Sequence, residues 1–97
     1  IVASVTDTTP PVVRITSPAA GPVGKGVVTV SATATDNVAV AGVTVSIDGL
    51  VVATTNSATA SYKWNTNKTA SGTHTITAVA KDTSGNLSAI SSVQVKK

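Results

Sequence analysis

The chain is 97 residues long, which suits one domain with one modest hydrophobic core. Hydrophobic residues make up 41% of it and charged residues 11%, which excludes an intrinsically disordered chain, and the apolar residues are too interrupted for a membrane span. The net charge of +3 comes from scattered basic residues, six lysines and one arginine, against four aspartates. No basic cluster alternates with aromatic residues, which argues against nucleic-acid binding.

Residue types suited to catalysis are scarce. The sequence has no cysteine, which rules out a disulfide framework, a thiolate metal site and a cysteine nucleophile. It has one histidine, and its four acidic residues are all aspartate. Because the chain starts without methionine and without an export-signal pattern, we expect it to be a module of a longer protein, with any export signal upstream.

Taken in chain order, the sequence begins with a predicted linker and continues as strands. Residues 1–11, IVASVTDTTPP, are predicted to be extended and semi-stiff because of Pro10 and Pro11. From residue 12 to residue 97, short segments alternate apolar and polar residues with a period of two, and no segment has a helical period. The pattern predicts a single domain of seven strands: Val12–Thr16, Val27–Thr35, Val43–Asp48, Leu50–Thr54, Ala60–Asn65, Thr73–Lys81 and Leu87–Lys96.

The alternation also predicts which side chains of these strands face the core. The inward residues are Val28, Val30, Ala32 and Ala34 in the second strand, Val43, Val45 and Ile47 in the third, and His74, Ile76, Ala78 and Ala80 in the sixth. Asp48–Gly49 predicts a type I′ hairpin turn between the third and fourth strands. The last strand loses its alternation between Ile90 and Val93, which predicts a β-bulge there.

Short antiparallel strands with one apolar face, and no helix to cover that face, predict two sheets packed on each other. The expected fold class is therefore all-β: an immunoglobulin-like β-sandwich of about seven antiparallel strands without a disulfide. Alanine fills many inward positions, so we expect Trp64 and the valines to supply most of the core's stability.

Four segments together carry a family resemblance: TDTTPPVVRITSPAAG, VTVSATATDNVAVAGVTVSIDG, YKWNT and GTHTITAVAKDTSGN. In order and spacing they closely resemble bacterial Ig-like domains, from Asp7 to Val95. The resemblance implies an accessory module of a secreted chitinase, another polysaccharide-degrading enzyme or a surface protein, in which such domains space or orient their neighbours. It brings no catalytic motif.

The residues themselves also argue against catalysis. His74 is in phase with Ile76 on a strand, and no Ser-His-Asp order or nucleophile motif surrounds it, so we interpret it as a partly buried edge histidine. A glycosidase needs two facing carboxyl groups roughly 5 to 10 Å apart. However, Asp48 belongs to a tight turn, and Asp36 and Asp82 each close a strand. We predict no catalytic residue and no cofactor site.

One alternative is a calcium site. Sandwich topology brings two loops and the linker to one pole, where Asp7, Asp36 and Asp82, with Asn37 and Asn86, offer the oxygen ligands that Ca²⁺ prefers. No EF-hand spacing or glutamate accompanies them. We favour turn residues that bond their own backbone, so no metal is predicted and excess Ca²⁺ should leave the melting temperature unchanged.

The aromatic residues pose the second alternative. Tyr62 and Trp64 are the only aromatic residues besides the histidine, and a spacing of two places them on one face of a strand. Exposed, they would form a sugar-stacking platform; buried, they would fill the core. We favour the core, because without them the interior would consist of Val, Ala, Ile and Leu alone.

We therefore expect a monomeric, non-catalytic spacer in a secreted or surface-exposed bacterial multidomain protein acting on a polysaccharide, with neighbouring domains of the same chain as partners. The alternative is a weak carbohydrate-binding or cell-surface adhesion module, in which outward rows of threonine could touch a polymer. No nucleic-acid partner and no membrane insertion are expected.

Overall fold

The strands of the computed structural model, which describes residues 9–24 and 26–97, form two packed sheets. Within those residues the strands are β1 (Val12–Ser17), β2 (Gly21–Pro22), β3 (Val27–Thr35), β4 (Val40–Ile47), β5 (Leu50–Thr55), β6 (Thr59–Asn65), β7 (Thr73–Asp82) and β8 (Ser91–Lys96), with a 3₁₀ turn at Thr66–Lys68. One sheet has the order β1-β3-β6 and the other the order β2-β8-β7-β4-β5. The predicted all-β immunoglobulin-like sandwich is confirmed.

The N-terminal part of the fold belongs to both sheets. β1 pairs with β3 in the three-stranded sheet, and β2 then joins β8 in the five-stranded sheet, in parallel. Because Gly21 and Pro22 have no apolar alternation, the sequence did not predict β2. Pro11 is buried just before β1, but residues 1–8 lie outside the described residues, so the linker over residues 1–11 stays a prediction.

The core lies between the sheets, where the alternation predicted it. Val30, Val45, Ile76 and Ala80 are fully buried, and Val43, Ala32 and Ala78 are nearly so. The predicted type I′ turn is confirmed too, because Asp48 and Gly49 both have positive φ angles, 52° and 83°. No helix in residues 9–24 or 26–97 is long and apolar enough to cross a membrane.

The last strand differs from its prediction. β8 begins at Ser91 rather than Leu87. Leu87 forms an isolated bridge with Lys81, and one extra residue lies between this bridge and the Ala78–Ser91 pair. The irregularity therefore precedes the predicted position between Ile90 and Val93, because the register of β8 with β7 is unbroken from Ala78–Ser91 to Thr73–Lys96. Ile90 is 67% exposed and lies before the strand. The reason is Ser88, whose Oγ accepts the N–H of Ala80 at 2.9 Å and so interrupts regular strand pairing.

The strand ends define two poles. Val12 pairs with Thr35 at the end of β3, residues 36–39 lead into β4, and the Thr83 N–H donates to the Ala39 carbonyl (3.2 Å). We call this end the entry pole: Val12, loop 36–39 and loop 83–90. At the other end, Lys96 pairs with Thr73, beside the Asp48–Gly49 turn. We call this end the exit pole: turn 48–49, loop 66–72 and Lys96.

Candidate functional site

Tyr62 and Trp64 face the interior from β6. Trp64 is 6% exposed and belongs to the core, and Tyr62 is half-buried and packs against it. The Trp64 Nε1–H donates to Thr69 Oγ1 (3.0 Å), and that hydroxyl donates to the Asn65 carbonyl at 3.3 Å. The prediction that the two rings build the core is confirmed, and the polar end of the indole has its partner within the domain.

A groove of about 470 Å³ opens beside these rings, between β5 and β6, the edge strands of the two sheets. Tyr62 and Trp64 form its β6 side, and Leu50, which is 70% exposed, stands on the β5 side. Asp48 and Lys68 lie at its exit-pole end. The groove is open to solvent and is lined by both apolar and polar side chains.

His74 lies at the exit pole with its side chain only 11% exposed. It is partly buried as predicted, but the predicted edge position is wrong, because β7 lies between β4 and β8. Its Nδ1 is 2.5 Å from Asp48 Oδ2, and its Nε2 is 2.7 Å from the carbonyl oxygen of Ala70. The imidazole also contacts the Trp64 indole, with ring centroids 5.7 Å apart and an interplanar angle of 78°. The histidine therefore joins the β4–β5 turn, loop 66–72 and the core tryptophan.

The electrostatics of this pair follow from its hydrogen bonds. The bond to Asp48, followed by the bond to Ala70, raises the pKa of His74 above its ordinary value, against the opposing effects of burial and of the Lys97 charge. The bond from His74, with that from the Thr75 N–H, lowers the pKa of Asp48. The fold therefore favours the charged forms of both groups.

The aspartates at the entry pole support turns. Asp36 Oδ2 accepts from two loop N–H groups at 3.2 and 3.3 Å. Asp82 is 1% exposed, and its oxygens accept from the N–H of Ser84 (2.9 Å) and from the backbone and side-chain amides of Asn86 (both 2.8 Å). Asp7 lies outside the described residues, among which no three His, Cys, Asp or Glu side chains are grouped to hold a metal ion.

Sequence reasoning missed two of these arrangements. Thr66 is fully buried, and its hydroxyl contacts the carbonyl oxygens of Gly24 (2.9 Å) and Gly26 (2.8 Å); nothing in the local sequence marks it. The Asp48–His74 pair could have been predicted from the pairing of two strands. Ile47 pairs with Ile76 across β4 and β7, so an assumed register of these two strands would have placed the aspartate next to the histidine.

Comparison with known proteins identifies the family. A profile described as "Bacterial Ig domain" matches residues 11–78. The chain belongs to the bacterial Ig domain family. This confirms the resemblance noted in the sequence. The comparison with curated proteins gave no significant match.

This bacterial Ig domain is similar to parts of two solved structures. It is similar to the fibronectin(III)-like modules of Clostridium thermocellum CbhA, with a TM-score of 0.76 and 29% identity, over 90% of this chain and 46% of that chain. It also resembles part of the endo-β-1,4-mannanase of Thermotoga petrophila, with a TM-score of 0.71 and 16% identity, over 93% of this chain and 20% of the mannanase. The second likeness shows the fold alone. The bacterial Ig domain thus spans less than half of either solved chain.

Proposed function

We propose that this bacterial Ig domain is a non-catalytic spacer in a secreted bacterial multidomain enzyme that degrades a polysaccharide, such as a chitinase. It holds the neighbouring catalytic and binding domains of the same chain at a fixed distance and orientation. Its place of action is outside the cell or on the cell surface.

The observation that carries this proposal is the position of the two chain ends. The chain enters the sandwich at the entry pole, where β1 begins, and leaves at the opposite pole, where β8 ends. β7, with ten residues, runs from pole to pole and spans roughly 33 Å. Neighbouring domains attached at the two ends are thereby kept apart by the length of the sandwich.

The comparisons support the setting. One similar structure consists of modules of a longer protein, and the other is a polysaccharide-degrading enzyme by its name, of which the similar region is a fifth. The chemistry of the described residues supports a non-catalytic role. Both ring nitrogens of His74 are engaged by Asp48 and Ala70, and Asp82 is buried in a turn.

A replacement experiment in the parent enzyme tests the spacer. The domain is exchanged for a flexible Gly/Ser linker, which keeps the neighbours covalently joined but removes the rigid separation. We expect activity on insoluble polymer to fall and activity on soluble fragments to stay unchanged. An equal loss on both substrates would count against the proposal, and an exchange for an unrelated rigid domain of similar length is the matched control.

The second candidate function, weak carbohydrate binding, rests on the groove beside Tyr62. A sugar ring could lie against Tyr62 and Leu50, with Asp48 accepting hydroxyl hydrogen bonds at one end. Co-sedimentation with insoluble chitin and cellulose separates the two functions, since a spacer stays in the supernatant. Binding that disappears in Tyr62→Ala but persists in Tyr62→Phe would favour the carbohydrate-binding function.

A further inference from the structure

His74 is placed so that its two ring nitrogens face only acceptors. Nδ1 faces the carboxylate of Asp48 at 2.5 Å and Nε2 faces the carbonyl of Ala70 at 2.7 Å. A neutral imidazole carries one N–H, whereas the imidazolium carries two. Both contacts are therefore hydrogen bonds only when His74 is protonated.

The charged groups at this pole act on the imidazolium in opposite directions. Among the described residues they are Asp48 on the turn, Lys68 on the 3₁₀ turn, and Lys96 and Lys97 at the end of β8. The aspartate contacts the imidazole directly, whereas Lys97 directs its Nζ to the Thr69 carbonyl at 2.5 Å. The lysines weaken the preference for the imidazolium but do not supply a donor to either acceptor.

Loop 66–72 connects His74 to the end of β8. The Gly72 N–H donates to the Lys97 carbonyl (3.1 Å), and the Lys97 N–H donates to the Gly72 carbonyl (3.0 Å). Ala70, the acceptor of the Nε2 proton, lies in the middle of this loop. The contact between His74 and Ala70 therefore holds the segment to which the end of β8 is bonded.

We propose that the proton on His74 Nε2 anchors loop 66–72, and that its loss to water loosens this loop together with the end of β8. Hydrogen bonds to a carboxylate are stronger than those to a carbonyl, so the proton that remains stays on Nδ1, facing Asp48. Nε2 and the Ala70 oxygen are then two acceptors in contact, and the loop moves away. In the spacer role, this makes the exit pole more mobile as the pH rises.

The first test is the protonation state of His74 in the 97-residue chain, followed by the ¹⁵N chemical shifts of the imidazole between pH 5 and pH 9. We expect both nitrogens to carry protons at pH 6.5, the ordinary pKa of histidine, and the Nδ1–H tautomer to appear on titration. Titration at or below pH 6.5, or an Nε2–H tautomer, would overturn the proposal. Because Trp64 contacts the ring, its fluorescence should titrate with the same midpoint.

The second test is amide hydrogen exchange at Gly72 and Lys97, corrected for the intrinsic effect of pH. When the loop opens, His74 returns to its ordinary pKa of 6.5. Linkage then requires the amide protection factors of Gly72 and Lys97 to fall as the pH rises through the higher pKa of the folded state. The total fall in the logarithm of the protection factor should equal the difference between that pKa and 6.5. The Ser88 amide, which donates to the Ala80 carbonyl near the entry pole, is the internal control. Local opening there leaves His74 in place, so the part of its exchange that does not depend on added denaturant should not change with the titration of His74. Equal changes at both poles, or none at Gly72 and Lys97, would contradict the proposal.

A substitution completes the test. Glutamine in His74→Gln donates from one amide group and does not titrate, so protection at Gly72 and Lys97 should become independent of pH. If the pH dependence persists in this variant, His74 is not its source. The measurements on the unsubstituted chain stand even if the variant folds poorly.

Discussion

Trp64 is the largest side chain of the core, and its indole N–H depends on one hydroxyl. Thr69 Oγ1 accepts this N–H at 3.0 Å and donates in turn to the Asn65 carbonyl at 3.3 Å. Valine has the shape of threonine but cannot accept a hydrogen bond, so Thr69→Val would leave a donor unpaired in a ring that is 6% exposed. An unpaired buried donor costs roughly 1–3 kcal/mol.

We therefore expect Thr69→Val to lower the free energy of unfolding by about 1–3 kcal/mol in urea denaturation followed by tryptophan fluorescence. Thr69→Ser keeps the hydroxyl and removes only the methyl group, so it should remain close to the unsubstituted protein. If the serine variant loses as much stability as the valine variant, packing of the methyl group rather than the hydrogen bond explains the loss.

At the scale of strands, Gly42 of β4 lies close to the backbone at the end of β5. An ideal Cβ at this position would lie 2.2 Å from the carbonyl oxygen of Thr55, closer than real Cβ atoms come to any backbone atom. The register of β4 with β7 also shifts between Val40 and Gly42. The glycine thus allows an irregular strand to pass a neighbouring backbone.

Gly42→Ala should destabilise the domain by about 1–3 kcal/mol, because the added methyl group forces the backbone of β5 to move. Gly24→Ala is the matched control, since an ideal Cβ there has nothing within 4 Å. The control should be neutral or slightly stabilising through a less flexible unfolded chain. Melting curves of the two variants, measured side by side, decide the matter, and equal losses would exclude the steric explanation.

The strands also show what sequence reasoning can reach. The inward residues of β3, β4 and β7 were predictable, because a strand with one buried face must alternate and a slip of one residue would expose the whole set. The start of β8 was not, because the Ser88 hydroxyl replaces a backbone partner of Ala80, and composition gives no sign of this. The Asp48–His74 contact could be predicted only from the register of β4 with β7, because the two residues are 26 positions apart in the sequence.

At the scale of the whole molecule, every sheet edge among the described strands carries a feature that opposes further pairing. β1 has Arg14 and an irregularity between Ile15 and Ser17, and β2 is two residues long and contains Pro22. β5 has an extra residue at Val52, and β6 carries Lys63 within the strand. Charges, prolines and bulges are the means by which natural sheets avoid edge-to-edge association. The arrangement supports the monomer expected from the sequence and suits the proposed spacer, whose neighbouring domains are attached at its two poles.

β6 is the longest edge strand without a bulge, because it pairs with β3 in continuous register from Val27–Asn65 to Thr33–Thr59. Its protection against pairing with a strand of another molecule therefore depends on the charge of Lys63. We expect Lys63→Val to increase self-association, measured by sedimentation velocity over a concentration series. Lys81→Val is the matched control: it also removes one exposed positive charge from a strand, but β7 lies between β4 and β8 and offers no free edge. If both variants associate equally, the cause is the lower net charge or the added apolar surface. If neither does, the twist of β6 protects the edge without the lysine.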